Sequence, residues 1–166
     1  MNSLLKIGIL GGIALGVIKL LGMKKISEKV VTSLSNPRVH AIDMRGLVVR
    51  TEINVANPTR STMNITKPVI TLTTNGKYIA SSRPENKVFK ILPLAETKID
   101  TIEVAVPWNI LVGYISGLLT KIPQIIAAFK TKDMKAVGEA LSIPLEMQYS
   151  LYANGLSYES EPEKIL

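Results

Sequence analysis

Residues 69–80 read VITLTTNGKYIA, two runs of strand-forming residues joined by the pair Asn75-Gly76. Val, Ile, Thr and Tyr fit the pleated surface of a strand. Asn-Gly is the preferred pair of two-residue hairpin turns, because both positions take a positive φ. The stretch therefore predicts a β-hairpin, and a second pair, Asn154-Gly155, predicts another hairpin near the C-terminus.

Further strands are predicted on both sides of this hairpin. Val49, Thr51, Ile53 and Val55 alternate with the polar residues Arg50, Glu52 and Asn54, which is typical of a strand with one buried face. This run ends at Asn57-Pro58, where proline removes a ladder donor and favours a turn. Other strands are predicted at 88–92, 97–106 and 143–151. Short strands separated by regular turn signals predict a mainly β protein, an antiparallel β-sandwich.

A helical insertion is predicted before the last hairpin. Apolar residues recur at helical spacing within residues 109–130, Pro123 is expected to divide this stretch into two helices, and 132–141 predicts another helix. The insertion either plugs an open end of the sandwich or contacts lipid or a partner protein. The residues that would make such a contact are Trp108, Tyr114, Leu118, Ile126 and Phe129.

The N-terminal segment has a different character. Residues 4–23 form an apolar run, and about 20 such residues are what a helix needs to cross a bilayer core. We therefore expect a single-pass membrane anchor at 1–25, a connector at 26–35 and a sandwich domain at 36–166. The lysines expected at the membrane interfaces are Lys6, Lys19, Lys24 and Lys25. Their excess after the apolar run favours a cytoplasmic sandwich.

Three glycines of this segment, Gly8, Gly12 and Gly16, are spaced by four residues and would share one helical face. In lipid, such a face allows close helix packing, including self-association. The alternative is glycine enrichment without a partner. The uncharged core from Ile7 to Ile18 is short, which fits a thin membrane, a shallow insertion or burial inside an assembly.

Composition narrows the classes of function. The 166 residues include no cysteine and one histidine, which argues against disulfides, thiolate chemistry and multi-histidine metal sites. The net charge of +7 is concentrated near the apolar segment and aromatic residues make up 5% of the chain, so a nucleic-acid partner is not expected. The acidic residues Asp43, Asp100, Glu103 and Asp133 fall on different predicted elements. We expect no cofactor, no metal site, no small-molecule substrate and no enzymatic activity.

The order of these marks resembles a known family. Asn36-Pro37 precedes a strand ending in Asn57-Pro58, the Asn75-Gly76 hairpin follows, residues 104–107 read VAVP, and an apolar helical stretch leads to the last hairpin. Over residues 36–166 the chain is similar to late-embryogenesis-abundant type 2 proteins, also called the WHy domain, and most similar to bacterial and archaeal members. The resemblance implies an immunoglobulin-like sandwich without catalytic residues or cofactor, and a link to stress protection, membrane association and protein or lipid contact.

Three functions follow as hypotheses. The first is a membrane-anchored, non-enzymatic module that binds another protein through its sandwich, with membrane lipid as its other partner. The second is a membrane-associated structural protein of a bacterial virus, located in the virion. The third is a lipid-binding or stress-protective protein with a cavity between the sheets and the helical insertion. The turn residues Asn57, Pro58, Asn75, Gly76, Asn154 and Gly155 are expected to be structural.

Overall fold

A computed structural model describes residues 15–17, 31–153 and 155–166 of the chain. The elements within these residues are β1 (Leu15–Val17), β2 (Val31–Ile42), β3 (Gly46–Asn57), β4 (Met63–Thr74), β5 (Lys77–Ser81), β6 (Val88–Ile91), β7 (Ala95–Pro107), α1 (Trp108–Leu111), α2 (Leu118–Lys130), α3 (Met134–Leu141), β8 (Glu146–Ala153), β9 (Leu156–Glu159) and β10 (Glu163–Lys164).

The strands form two antiparallel sheets. The first has the order β1-β2-β3-β7, and the second has the order β10-β8-β4-β5, with β6 also pairing with β4 and β9 with β8. The apolar faces of both sheets contribute to one buried core, which the three helices extend. The predicted mainly β, sandwich-like fold with a helical insertion is confirmed.

The central strand of the first sheet shows why the pattern predicts this fold. Alternate residues of β3, including Val49, Ile53 and Val55, are fully buried, while their neighbours are partly exposed. β2 pairs along one side of β3 and β7 along the other. One face of the strand therefore lies in the core and the other faces water, as the alternation predicts.

The β4–β5 hairpin is confirmed in detail. Asn75 has φ of 48° and Gly76 has φ of 74°, so both turn residues are left-handed, as a type I′ turn requires. Gly155 also has a positive φ, 85°, between β8 and β9. Its predicted partner in the turn, Asn154, lies outside the described residues.

The sandwich begins earlier than expected. β2 starts at Val31, inside the predicted connector, so the boundary expected at residue 36 falls within a strand. Asn36 has φ of 53°, and the register with β3 shifts between Ser35 and Arg38, so Asn36-Pro37 marks a bulge and not the start of the domain. Thr32 and Ser33 are buried, although the polar composition of residues 26–35 suggested a connector.

The helical insertion breaks at a different place from the one predicted. Pro123 lies inside α2, and the break falls at residues 112–117 instead. Gly117, with φ of 66°, precedes the first residue of α2. Pro123 is in the second turn, where it removes only the hydrogen bond that its own N–H would donate to Leu119. The last helix, α3, falls within the predicted range.

The C-terminal residues pair with the second sheet and pack on the core. Glu163 and Lys164 form β10 against Met147 and Glu146. The Ile165 N–H donates to the carbonyl oxygen of Leu145 at 2.8 Å, and Ile165 and Leu166 pack on the core. The chain end therefore closes one edge of the second sheet.

Of the apolar N-terminal segment, the structure describes three residues. Leu15–Val17 form β1, which pairs with Val31–Ser33, so Gly16 is in a strand and not on a helical face. Short apolar runs fit a strand as well as a helix by periodicity. Gly8, Gly12, Lys6, Lys19, Lys24 and Lys25 lie outside the described residues, so the membrane anchor stays a prediction. Within the described part of the chain, no helix has the length and apolarity that crossing a bilayer requires.

Candidate functional site: the two ends of the sandwich

The described sandwich has two ends that differ in their surface chemistry. At the proximal end, β2 begins at Val31, beside the connections at 58–62 and 92–94. At the helical end lie the β2–β3 connection at 43–45, the Asn75-Gly76 turn and α1. The phenol O–H of Tyr114 donates to the Tyr78 carbonyl oxygen at 2.7 Å, which ties the helical insertion to the β4–β5 hairpin.

Trp108 fixes the helical insertion to the first sheet. Its indole Nε1–H donates to the Asp43 carbonyl oxygen at 2.8 Å, and its backbone N–H donates to the Arg45 carbonyl oxygen at 3.2 Å. The side chain is buried in the core. Trp108 therefore holds the 43–45 connection in place and is not at the surface, where lipid or a partner could contact it.

The other predicted contact residues divide between core and surface. Leu118 is buried, and Ile126 and Phe129 are half-buried against the core. Tyr114 is partly exposed while its hydroxyl is engaged. Most of the predicted contact residues therefore pack in the core, and the insertion plugs the sandwich.

The exposed apolar surface at this end comes from other side chains. Met44 at the tip of the β2–β3 connection is 73% exposed and Leu119 in the first turn of α2 is 65% exposed. Further exposed apolar side chains here are Tyr78, Ile110 and Val112. We call Met44, Tyr78, Ile110, Val112 and Leu119 the helical-end apolar residues. None of these five was predicted as a contact residue: helical spacing does not say which apolar residue of the insertion faces outward, and Met44 and Tyr78 lie outside the insertion.

Carboxylates with perturbed pKa values are held in the ionised form. The side-chain hydrogen bond from Arg45 lowers the pKa of Asp43, and hydrogen bonds from Lys98 and Lys87 lower those of Glu52 and Asp100. A general acid at neutral pH needs the opposite shift. These groups therefore act as ion-pair partners. In the described residues, no three His, Cys, Asp or Glu side chains are grouped as a metal site would need.

A surface cleft of about 590 Å³ separates β7 from the β5–β6 connection. Its charged lining includes Lys67, which binds Glu85 at 2.6 Å, and Glu103, which binds Arg50. The hydroxyl of Ser82 accepts a hydrogen bond from the Ile70 N–H at 3.0 Å, so it is used structurally. No histidine lines the cleft. The carboxylates of Glu85 and Glu103 in this lining are ion-pair partners of Lys67 and Arg50.

The proximal end is organised by Asn57, which is 1% exposed. Its side-chain N–H₂ donates to the carbonyl oxygens of Ser61 at 2.9 Å and Leu92 at 3.1 Å, and its Oδ1 accepts from the Thr59 N–H at 3.1 Å. One amide therefore holds the β3–β4 connection and the end of β6 together. The prediction that Asn57 and Pro58 form a structural turn agrees with this geometry.

Two leucines project from the proximal end. Leu92 is 57% exposed and Leu94 is 71% exposed, on either side of Pro93 in the turn between β6 and β7. Their exposure was not predicted from the sequence, because Leu92 was assigned to the end of the strand at 88–92. The available signal was Pro93 followed by Leu94, at a turn position where glycine is usual.

Comparisons with known proteins add little to this description. No protein-family model matches the chain, and no curated protein sequence matches it. Among solved structures, a crystal structure of a protein from Archaeoglobus fulgidus aligns with a TM-score of 0.41 and 8% identity, over 80% of this chain and 95% of that one.

Proposed function

We propose that this protein is a membrane-anchored, non-enzymatic binding module. The apolar N-terminal segment holds the chain at a bilayer with its residues outside β1, and the sandwich contacts another protein with its helical end. The observation that carries the proposal is the placement of apolar groups. The apolar N-terminal run meets the proximal end of the sandwich, where Val17 of β1 pairs with Val31 of β2, while Met44 and Leu119 are exposed elsewhere, on the β2–β3 connection and on α2.

The helical end has the properties of a contact surface. Its exposed side chains sit on a framework fixed by the buried Trp108 and by the hydrogen bond from Tyr114 to Tyr78. The Asp43–Arg45 pair, 2.8 Å apart, borders Met44 with charge. Exposed apolar side chains with a polar border are typical of protein interfaces, and a rigid framework lowers the entropy cost of binding.

The anchor is tested by floating the full chain with vesicles of phosphatidylcholine and phosphatidylglycerol. An inserted segment keeps the protein on the vesicles in 1 M salt, whereas electrostatic adsorption is screened at that ionic strength. Release of the protein by salt would contradict the anchor.

The contact surface is tested by photo-crosslinking from a benzoylphenylalanine at Met44 in the native membrane, with the same group at Arg83 in the cleft as control. We expect one adduct of defined mass from position 44, weakened by Leu119→Ser, and none from position 83. An anchored chain that gives no adduct at position 44, or equal adducts at both positions, would contradict the proposed interface. An adduct of twice the chain mass would identify a second copy as the partner.

We also propose that the sandwich is immunoglobulin-like and related to the late-embryogenesis-abundant type 2 family. The support is the order of strands and turns, together with the role of Asn57, which belongs to the Asn-Pro mark that suggested the resemblance. In a solved structure of a family member, the asparagine of that mark should donate to the connection after its own strand and to the end of the β6 equivalent. A surface-exposed asparagine there would contradict the relation.

A further inference from the structure

We infer that the turn Leu92-Pro93-Leu94 docks the proximal end of the sandwich onto the bilayer surface. This inference rests on the membrane anchor of the proposed function and adds a second, peripheral contact with lipid. Four observations carry it: the backbone of Leu94, the exposure of both leucines, the path of the chain and the local charge.

Leu94 has a backbone conformation that its side chain disfavours. Its φ is 53°, in the left-handed region, and it follows Pro93 at the third position of the turn. Glycine or asparagine is usual there, because a side chain in this region crowds the backbone. A bulky leucine at this position costs conformational free energy, so its presence calls for a compensating interaction.

The fold does not supply that interaction. The Leu94 side chain is 71% exposed, so it adds little to the core. Its backbone N–H donates to the Thr59 carbonyl oxygen at 3.0 Å, and Asn57 holds the Leu92 carbonyl oxygen. These bonds involve backbone atoms that a glycine at position 94 would also provide. The apolar side chain is therefore explained by a contact outside the described sandwich.

The path of the chain brings this turn near the anchor. Val31 pairs with Ala56 in β3, and the next residue, Asn57, pairs with Ala95 at the start of β7. The point where the chain joins the sandwich and the turn are thus two strand spacings apart, about 10 Å. Val17 of β1 pairs with Val31, so the connection 18–30 begins and ends at this end of the sandwich. It includes the apolar residues Ile18, Leu20, Leu21 and Met23, and a bilayer that holds them lies within reach of Leu94.

The charge around the turn suits an anionic lipid surface. Arg60 follows Thr59, Lys90 precedes Leu92 by two positions, and both are exposed without an ion pair among the described residues. Glu96 is the nearby acidic residue on β7. Exposed cations beside apolar side chains are the usual chemistry of peripheral membrane contact. The bilayer surface is therefore the occupant that we assign to this turn.

The test uses the full chain, which has no cysteine and so accepts single labels cleanly. Leu94→Cys and Met44→Cys, the second as the helical-end control, are labelled with the fluorophore NBD. Each is reconstituted into phosphatidylcholine–phosphatidylglycerol vesicles containing doxyl-labelled lipid. We expect at least a twofold loss of fluorescence at position 94 and almost none at position 44.

Several outcomes would overturn the inference and are distinguishable from failure of the anchor. If the chain floats with vesicles but the label at position 94 is unquenched, the anchor stands and the docking turn does not. A blue-shifted but unquenched label would mean that a second copy of the chain covers the turn, which also overturns the inference. If the chain does not float in 1 M salt, the proposed function itself fails.

A second variant separates docking from folding. With the label at Leu92→Cys, the added change Leu94→Gly should at least halve the quenching while leaving the unfolding midpoint in urea equal or higher, because glycine accepts the positive φ. Arg60→Ser with Lys90→Ser should lower the quenching on anionic vesicles and leave it unchanged on neutral ones. Unchanged quenching in all of these variants would contradict the docking turn.

Discussion

At the scale of single residues, Asn57 explains why an Asn-Pro pair ends β3, the strand that pairs with both β2 and β7. Its amide serves as donor and acceptor at once, to backbone atoms of two connections that are far apart in sequence. Aspartate in this place would lack the donor and alanine would lack both groups. Pro58 follows where no ladder bond is needed, so the pair ends the strand and begins the turn.

The variant Asn57→Ala should lower the free energy of unfolding by about 1–3 kcal/mol, because three backbone groups lose a buried partner. Asn109→Ala, at an exposed position of α1, is the matched control and should change it by less than about 0.5 kcal/mol. Urea unfolding followed by circular dichroism measures both. Equal, small effects would mean that water replaces the Asn57 amide without cost.

Tyr149 connects the two sheets. Its phenol oxygen is hydrogen-bonded to the hydroxyl of Thr32, and the side chain is buried. Burial raises the pKa of the Tyr149 phenol above its ordinary value of 10.0. Because the folded state then favours the protonated phenol, this contribution to stability is complete below the ordinary pKa and is lost as the pH rises through the folded-state pKa.

Tyr149→Phe should therefore lower the free energy of unfolding by about 0.5–1.5 kcal/mol at neutral pH, through the lost hydrogen bond. Above pH 10 its stability should fall less steeply with pH than that of the unchanged protein. Tyr152→Phe, at an exposed position of the same strand, is the control for losing a tyrosine hydroxyl and should change the free energy of unfolding at neutral pH by less than about 0.5 kcal/mol. Parallel alkaline slopes for the unchanged protein and Tyr149→Phe would refute the assignment to Tyr149.

At the scale of elements, Gly76 in a turn and Gly138 in a helix should respond in opposite ways to replacement by alanine. Gly76 has a positive φ, while Gly138 lies within α3, and a Cβ at either position would meet no atom within 4 Å. Space is therefore not the constraint at either position. Backbone conformation alone should therefore decide whether alanine raises or lowers the free energy of unfolding.

Gly76→Ala should destabilise the protein by about 1 kcal/mol, because alanine disfavours the left-handed turn. Gly138→Ala should stabilise it by up to about 1 kcal/mol, because alanine favours the helix. Thermal and urea unfolding of the two variants measure the difference. Effects of the same sign would show that local packing, and not backbone preference, governs these positions.

The elements also show what sequence can and cannot predict. The alternation of apolar and polar residues predicted β3, β7 and β8, and the pair Asn75-Gly76 predicted the β4–β5 hairpin, because these signals are local. The first half of β2 was missed, since Thr32 and Ser33 are polar residues buried by sheet pairing. The break before α2 was assigned to Pro123, although Gly117 with its positive φ lies at the break.

The candidate surfaces were less predictable than the fold. Spacing identified an apolar insertion but not its orientation, so Trp108 and Leu118 were candidates for either core packing or a contact surface, and both are buried. Met44 and Leu94 are exposed because of where their turns lie in the assembled sandwich. Exposure of this kind depends on tertiary structure, which the spacing of apolar residues along the chain does not predict.

At the scale of the whole molecule, the first half of β2 decides where an independent domain can begin. Residues 31–35 supply Thr32 for the bond to Tyr149 and place Leu34, 2% exposed, in the core. The linker-like composition of 26–35 suggested that the domain begins at Asn36, yet a fragment cut there would lose the part of β2 that pairs with Glu52–Ala56.

We therefore expect a fragment of residues 26–166 to unfold cooperatively in urea, and one of 36–166 to be less stable by about 2–5 kcal/mol, the usual cost of losing a buried leucine. The two fragments differ in ten residues, so Leu34→Ala in the longer fragment is the matched control. Loss of the Leu34 side chain should account for a large part of the difference, and the Thr32–Tyr149 bond and the sheet pairing of 31–35 for the rest. Equal stability of the two fragments would mean that residues 31–35 only rest on the sandwich and that the domain begins at Asn36. A large difference would show that the strand next to the predicted anchor is part of the folded core, which makes the separation between bilayer and sandwich short and favours a contact between lipid and the proximal end.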